Sequence, residues 1–266
     1  MADYRYQDLL AAYSAIGVKR GCVVHPQGNL GLLRVYENND KDVIARDHYR
    51  ALRELIGPDG TIIVGTSSMD LCNTERTFDP QTTPSYRMGV LAEYVRCLPA
   101  TKRSFHPFVS YAANGAHADY LVEDASRHAY GPETPEARMI ELDALHVSIG
   151  IHPRFSTATN HHLELVMGVP YRYNREYVQK VVRNGIVREE LFYQNVWYDG
   201  VKRDRNAKLF ARFEAIHPLN EALLGRGKIW SYSKADFFRA GVKIFKDDIY
   251  VWTDGPPDRK PYRTWL

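Results

Sequence analysis

Residues 21 to 65 restrict the fold of this chain more than any other stretch. A short apolar run, "GCVVH", precedes a helix-spaced segment, "DVIARDHYRALRELI", which stops at Gly57-Pro58 and passes through a Gly-Pro-Asp-Gly turn into a second apolar run, "GTIIV". Proline cannot continue a helix, and glycine and aspartate supply the turn. Strand, helix, turn, strand in that order predicts an α/β layer on a largely parallel or mixed sheet. Ahead of it, Leu9, Leu10, Tyr13 and Ile16 repeat at helical spacing behind Asp3, with Gly17 to close the helix.

The rest of the chain extends this alternation. "RMGVLAEYVRCL" reads as a helix ended by Pro99, "FVSYAA" and "LHVSIGI" as strands, and "REYVQKVV" and "LFYQNVWY" as β-prone. "RNAKLFARFEAI" and "SKADFFRAGVKIF" read as later helices around a strand "KIWSY". Residues 66–85 break the pattern with a long irregular stretch rich in Thr, Ser, Asp and Pro. Such loops are usually functional.

With 266 residues, 44% of them hydrophobic, the chain can bury a large core, and no linker divides it. One domain spanning residues 1–266 is expected, with 252–266 as a surface tail. The net charge of +3 comes without a Lys/Arg run, so no nucleic-acid partner is expected. Cys22, Cys72 and Cys97 lie far apart with no CxxC pair, which suits free thiols in a reducing compartment. The N-terminal residues lack the apolar stretch of a signal peptide, and no run reaches the roughly 20 apolar residues of a membrane span. A cytoplasmic protein without membrane contact is the expectation.

Generic motifs return little: there is no G-x-S-x-G, no phosphate loop and no H-E-x-x-H. The stretch "TNHHLE" is more informative. A helix turns about 100° per residue, so His161 and His162 cannot aim at one point, whereas His161 and Glu164 share a face. Glu93 lies among Val90, Leu91 and Val95, where partial burial would demand a partner: a histidine, a substrate ammonium or Arg96. Asp70 and Asp79 bracket the irregular loop, where they would either attract a cationic acceptor or, at Asp79 before Pro80, make an Asx turn.

Several segments in order carry a resemblance. They are "FDPQTTPS", then Met88-Gly89 with Glu93 four residues beyond the glycine, then Arg96, Pro99 and "RSFHPFVSYAANG", then "ELDA" before an apolar strand, then His161 with Glu164, then "GVPYR". From about His25 through Arg172 the chain resembles the aminoglycoside 3-N-acetyltransferase family, and "LFARFEAI" onward is weakly similar as well. The resemblance implies an antibiotic N-acetyltransferase-like α/β fold, a mixed central sheet with flanking helices. It also implies acetyl-CoA as cosubstrate, no metal, and acetyl transfer to a primary amine by direct transfer in a ternary complex.

The family's histidine base maps onto His161, with Glu93 and Glu164 as the accompanying carboxylates. Relatives carry a threonine three residues before that histidine, where this chain has Ala158. Either Thr157 or Thr159 takes over that role, or His162 is the base. By resemblance the cosubstrate meets His25, Gln27, Gly28, Thr66, Ser67, Met88, Lys102, Arg103, Ser104 and His106. The acceptor meets Asp70, Asp79, Thr159 and His162. Pro26 and Gln27 stand where relatives have serines, which leaves a noncatalytic binding module as an alternative. Another is a metal-dependent hydrolase built on His152, His161 and Glu164.

The acceptor implied is a small-molecule amine, either an aminoglycoside or a nucleotide-linked amino sugar. Arg154, Arg172, Arg175, Arg183, Arg188, Lys202, Arg203, Arg205 and Lys208 favour the anionic kind if they stand near it. A homodimer is compatible with this reading.

Overall fold

The computed structural model describes residues 2–204 and 207–256; Arg205 and residues 257–266 fall outside it. In chain order the elements are α1 (Tyr6–Ala15), β1 (Val23–Gly28), α2 (Lys41–Ile56), β2 (Thr61–Gly65), α3 (Val90–Arg96), β3 (Lys102–Arg103), β4 (Tyr111–Gly115), α4 (Ala118–Val122) and α5 (Pro135–Glu141). They continue with β5 (Leu145–Ile149), α6 (Thr159–Val166), β6 (Arg172–Arg183), β7 (Ile186–Trp197), α7 (Ala207–Glu214), β8 (Asn220–Leu224), β9 (Gly227–Ser233) and α8 (Lys234–Asp247). The central sheet runs β3-β4-β2-β1-β5-β9-β8, and β6 with β7 forms a separate hairpin. β1 is parallel to β2 and β5, while β4 and β9 are antiparallel to their neighbours. The sheet is mixed.

Side chains of a strand alternate between faces, and β2 uses both. Ile62 and Val64 join the core under α1, α2 and α3, while Ile63 joins one under α4 and α5. α2 forms where the spacing predicts it: Asp40 caps its start by accepting from the Asp42 N–H at 2.8 Å, and Gly57 ends it at φ 65°. Its inner face carries Ala45, Ala51, Leu52 and Ile56, and also His48, whose Nδ1 lies 2.6 Å from the Tyr13 hydroxyl.

The irregular stretch is held by one arginine. Arg103 is mostly buried and donates to the carbonyls of Thr66 (2.6 Å), Thr83 (2.5 Å) and Pro80 (3.4 Å) and to the hydroxyls of Ser68 and Ser110. Buried carbonyls need partners, and this loop has no ladder to supply them. The hairpin docks on the same loop through Phe78, Phe108, Val181 and Phe192. Residues 252 and 253, expected in a surface tail, lie inside the fold. Trp252 and Thr253 are 4% and 0% exposed, since the indole packs on Trp197 and the Thr253 hydroxyl donates to the carbonyls of Tyr250 and Gly255. No helix is long and apolar enough to cross a membrane among the described residues.

Gly28 closes β1 with φ 138°, and a Cβ there would lie 2.1 Å from the Ile149 carbonyl oxygen. Both backbone angle and space require glycine. Gly28→Ala is expected to lower stability by at least about 2 kcal/mol, because strain of that kind costs about 1–3 kcal/mol before the clash is counted. Urea unfolding would read the loss, and an unchanged midpoint would contradict this account of the β1 to β5 approach.

Candidate active site

Beyond Gly28 the chain turns away from the sheet and leaves two clefts that share Gln27 and Met88. The larger, about 600 Å³, runs from the 26–31 turn to the start of α3 and carries the side chains of Arg34, Lys41 and Arg87. All three are exposed, and none has a carboxylate partner among the described residues. No Asp or Glu lines this cleft. It suits a long anionic ligand.

The smaller cleft, about 420 Å³, is walled by the ends of β1 and β7, by residues 155–158 and by the first turn of α6. His161 opens into it with 27% of its side chain exposed. Its ring packs against Tyr130 (centroids 5.2 Å apart) and Trp252 (4.9 Å). Arg172 Nη2 lies 2.8 Å from His161 Nδ1, and Glu164 Oε2 lies 3.5 Å from the same nitrogen. Arginine can only donate, so Nδ1 accepts and the neutral ring carries its proton on Nε2. Burial, followed by the charges of Arg172 and Arg203, holds the imidazole well below its ordinary pKa. The ring is neutral at pH 7.

Glu164 is fully buried behind it, 2.7 Å from Arg172 Nη2. Burial pushes this carboxyl up to about 8 against the downward pull of Arg172. Arg172 also donates to the Asn195 carbonyl at 2.5 Å and stacks on Trp197, its guanidinium carbon 4.2 Å from the ring centroid.

His162 points the other way, as the helical turn requires. Its Nδ1 accepts from the Gly131 N–H at 3.3 Å and its ring meets Phe238 edge-on. It does not line the cleft. Ala158 gives α6 no side-chain cap, and the Thr157 hydroxyl accepts the Thr159 N–H instead. Thr157 lines the cleft. Thr159 is fully buried and donates to Glu136, which is paired at 2.5 Å with Lys234.

Of the residues assigned to the cosubstrate, Gln27 and Met88 lie where the clefts meet, Gly28 lines the larger, and His25 and Ser67 line the smaller. His25 is fully buried with both ring nitrogens unpartnered. Thr66 is buried against the Ser110 hydroxyl and lines neither cleft.

The "KRSFHP" segment corrects the expectation made for it. Lys102 pairs with Asp119 and Glu123, Arg103 ties the irregular loop, and Ser104 accepts the Tyr111 N–H. His106 accepts from the N–H groups of Phe108 and Val109, with Nε2 facing the Tyr193 carbonyl. These groups are used up inside the fold, and none faces a cleft.

The acidic assignments are corrected in the same way. Glu93 accepts from Arg96 and from the N–H and hydroxyl of Ser85. Burial alone would raise its pKa, but these bonds outweigh it and hold the carboxyl at about 2. It is an ionised carboxylate at neutral pH with both oxygens engaged by Ser85 and Arg96. Asp70 pairs with Arg76, and Asp79 makes the Asx turn, accepting from the Gln81 N–H and the Thr82 hydroxyl. None of the three lines a cleft.

His152 faces Glu214 at 3.3 Å in a separate surface hollow. Among the described residues no three His, Cys, Asp or Glu side chains converge on a metal position, so His152, His161 and Glu164 do not form the triad a hydrolase would need. Sequence reasoning gave no role to Arg34, Lys41 and Arg87. They are scattered over more than fifty positions, and no local pattern links them.

Residues 39–246 match the profile of the aminoglycoside 3-N-acetyltransferase family. Aminoglycoside N(3)-acetyltransferase IV of Salmonella sp is 31% identical over 172 residues, covering 64% of this chain and 62% of the relative. The matched region thus spans less than two thirds of that relative's length. Aminoglycoside N(3)-acetyltransferase IX of Micromonospora chalcea is 26% identical over 68% of this chain and 66% of its own. Among solved structures, the apoenzyme of aminoglycoside acetyltransferase AAC(3)-IVa superposes with a TM-score of 0.80 at 23% identity, covering 99% of this chain and 98% of that one. AAC-IIIb in binary complex with CoASH gives 0.78 at 20% identity, over 95% of this chain and 99% of its own.

Proposed function

Since the chain belongs to the aminoglycoside 3-N-acetyltransferase family, we propose that it transfers the acetyl group of acetyl-CoA to a primary amine, with His161 as the proton acceptor. The observation that carries this reading is the junction at Gln27 and Met88, where a cleft with three unpaired cations meets a cleft with a neutral imidazole. Coenzyme A bears several phosphate charges, which Arg34, Lys41 and Arg87 would pair, and its thiol end would reach the junction. The structural relative in complex with CoASH supports the same choice of donor.

The reaction forms one C–N bond and breaks one C–S bond. The amine lone pair attacks the thioester carbonyl carbon, the thiolate departs, and the nitrogen loses a proton to imidazole. An ammonium has no lone pair to offer, so a neutral imidazole beside the amine is the chemistry required. To accept at Nε2 the ring must adopt its other tautomer. Nδ1–H then donates to Glu164, already 3.5 Å away, in place of the Arg172 contact. Glu164 thereby orients the ring, while Arg172 keeps it neutral until the acceptor arrives.

Incubation with acetyl-CoA and an amine panel, following free thiol and N-acetyl product together, tests the activity. Amine-dependent thiol release is expected. Thiol release at the same rate without amine would indicate hydrolysis, and none at all would favour a binding module.

The donor cleft is tested separately by calorimetry with coenzyme A. Arg87→Glu should weaken binding about tenfold or more, since a charged hydrogen bond contributes about 1.5–3 kcal/mol. Lys102→Glu, whose partners are Asp119 and Glu123, should not. Equal effects from the two would contradict the assignment of the cleft.

A further inference from the structure

No carboxylate lines the smaller cleft. An acceptor with several ammonium groups needs several carboxylates, and the acids first assigned to it, with Glu164, are engaged elsewhere. Asp70 pairs with Arg76, Asp79 is bound in its turn, and Glu164 is fully buried behind Arg172. The one charged side chain that lines the cleft is Arg172, and Arg203 stands beside its Trp197 wall. Arg172 is hydrogen-bonded to Glu164, whose raised pKa leaves it mostly uncharged at pH 7; Arg203 is exposed, stands with its guanidinium carbon 5.4 Å from the Trp197 ring centroid, and has no carboxylate partner among the described residues.

Trp197 forms a wall of the cleft, and Trp252, packed on it at 5.1 Å, also touches the His161 ring. One aromatic pair therefore has the proton acceptor at one end and an unpaired cation at the other. The remaining walls carry no carboxylate and mix apolar, hydroxyl and amide side chains, among them Phe155, Thr157 and Asn195, whose Oδ1 is buried without a partner.

We propose that the acceptor is a primary amine whose remainder carries a negative charge, set against Arg203, and that polycationic amines are discriminated against. The inference rests on the acetyl-transfer reading of this cleft. Like charges brought together at a binding site cost affinity, opposite charges gain it, and no carboxylate lines this cleft while Arg172 does.

Glucosamine 6-phosphate, glucosamine and a tetra-amino aminoglycoside form the test panel, with kcat/KM measured for each and binding measured by calorimetry in the presence of coenzyme A. The phosphate ester should exceed the aminoglycoside by about 100-fold or more, with glucosamine between them. Arg203→Glu should reverse the order of the two charged amines while leaving coenzyme A affinity unchanged. Tighter binding or faster turnover of the polycation, no binding of either charged amine, or an order that Arg203→Glu does not move would overturn the inference. If the expected binding order holds but no amine is acetylated, the transfer reading fails and the charge preference stands.

Discussion

Replacing His161 with alanine is expected to lower kcat by roughly 10²- to 10⁴-fold, the usual contribution of a positioned general base, and to leave coenzyme A affinity within about twofold. The separation follows from geometry, because His161 lines the smaller cleft and the unpaired cations line the larger. The pH dependence adds a signature that a structural role would lack. Burial comes first and the charges of Arg172 and Arg203 second in depressing the imidazole pKa. The neutral ring is the active form, so activity is lost as pH falls through a pKa below 6.5. The acidic limb of kcat should lie below the ordinary histidine value and move upward in Arg172→Gln, which removes a positive charge from Nδ1. A His161→Ala variant with more than half the parent rate, or a limb unmoved by Arg172→Gln, would remove the base assignment.

The fold itself should be sensitive to acid. His25, His48 and His146 are fully buried and His106 is 4% exposed. Burial is the first cause of depression in each, taking His48 to about 3 and His106 to about 4, and the Lys234 charge adds to it at His25 and His146. A histidine depressed in the native state binds fewer protons there than in the unfolded chain. Its contribution is intact above the unfolded value near 6.5 and is lost as pH falls toward the native pKa. Each group forfeits about 1.4 kcal/mol per pH unit once well inside that window.

Glu164 works in the opposite direction. Its raised pKa makes the native state the greater proton binder between the ordinary value of 4.5 and about 8, so it contributes stability as pH falls. Glu164 offsets only one of these groups, and His161 is depressed by the same burial, so the net loss between pH 6 and 5 is on the order of several kcal/mol, a large part of the 5–15 kcal/mol that holds a typical domain. Urea unfolding across pH 8 to 5 should show a shallow change above 6.5 and a steep decline below it. A midpoint that holds steady from pH 7 to 5 would mean that these histidines are not held neutral by the fold.

Much of the sheet was legible because local patterns carried it. β1, α2 and β2 are an apolar run, a helical face and a turn that any α/β layer would use, and their boundaries fall within a few residues of the expectation. That His161 and His162 face different sides was legible for the same reason, and the structure turns His161 toward the smaller cleft. Polar side chains were harder to read. "KRSFHP" resembles a phosphate-binding segment, yet Arg103 is occupied by carbonyls of the 66–85 loop, and nothing local reveals that a loop without periodicity must borrow its donors from elsewhere. For Asp79 and Glu93 the sequence offered both a ligand role and a local one, the Asx turn and the Arg96 pair, and the structure shows the local one, as it does for Asp70. A density of acids suggests a binding site, but each carboxylate satisfies a neighbour within eight positions.

Arg172 was visible in "GVPYR", but its role depends on Glu164 from α6 and Trp197 from β7, which only tertiary structure brings together. Trp252 is buried by that same cluster, against the expectation of a surface tail from residue 252.

A crystal structure with coenzyme A and an amine bound tests the central claim most directly. The sulfur should rest beside Gln27 and Met88, with the amine nitrogen about 3 Å from His161 Nε2 and Nδ1 turned toward Glu164. Sulfur bound away from that junction, or an amine held nearer to His162 than to His161, would contradict the account.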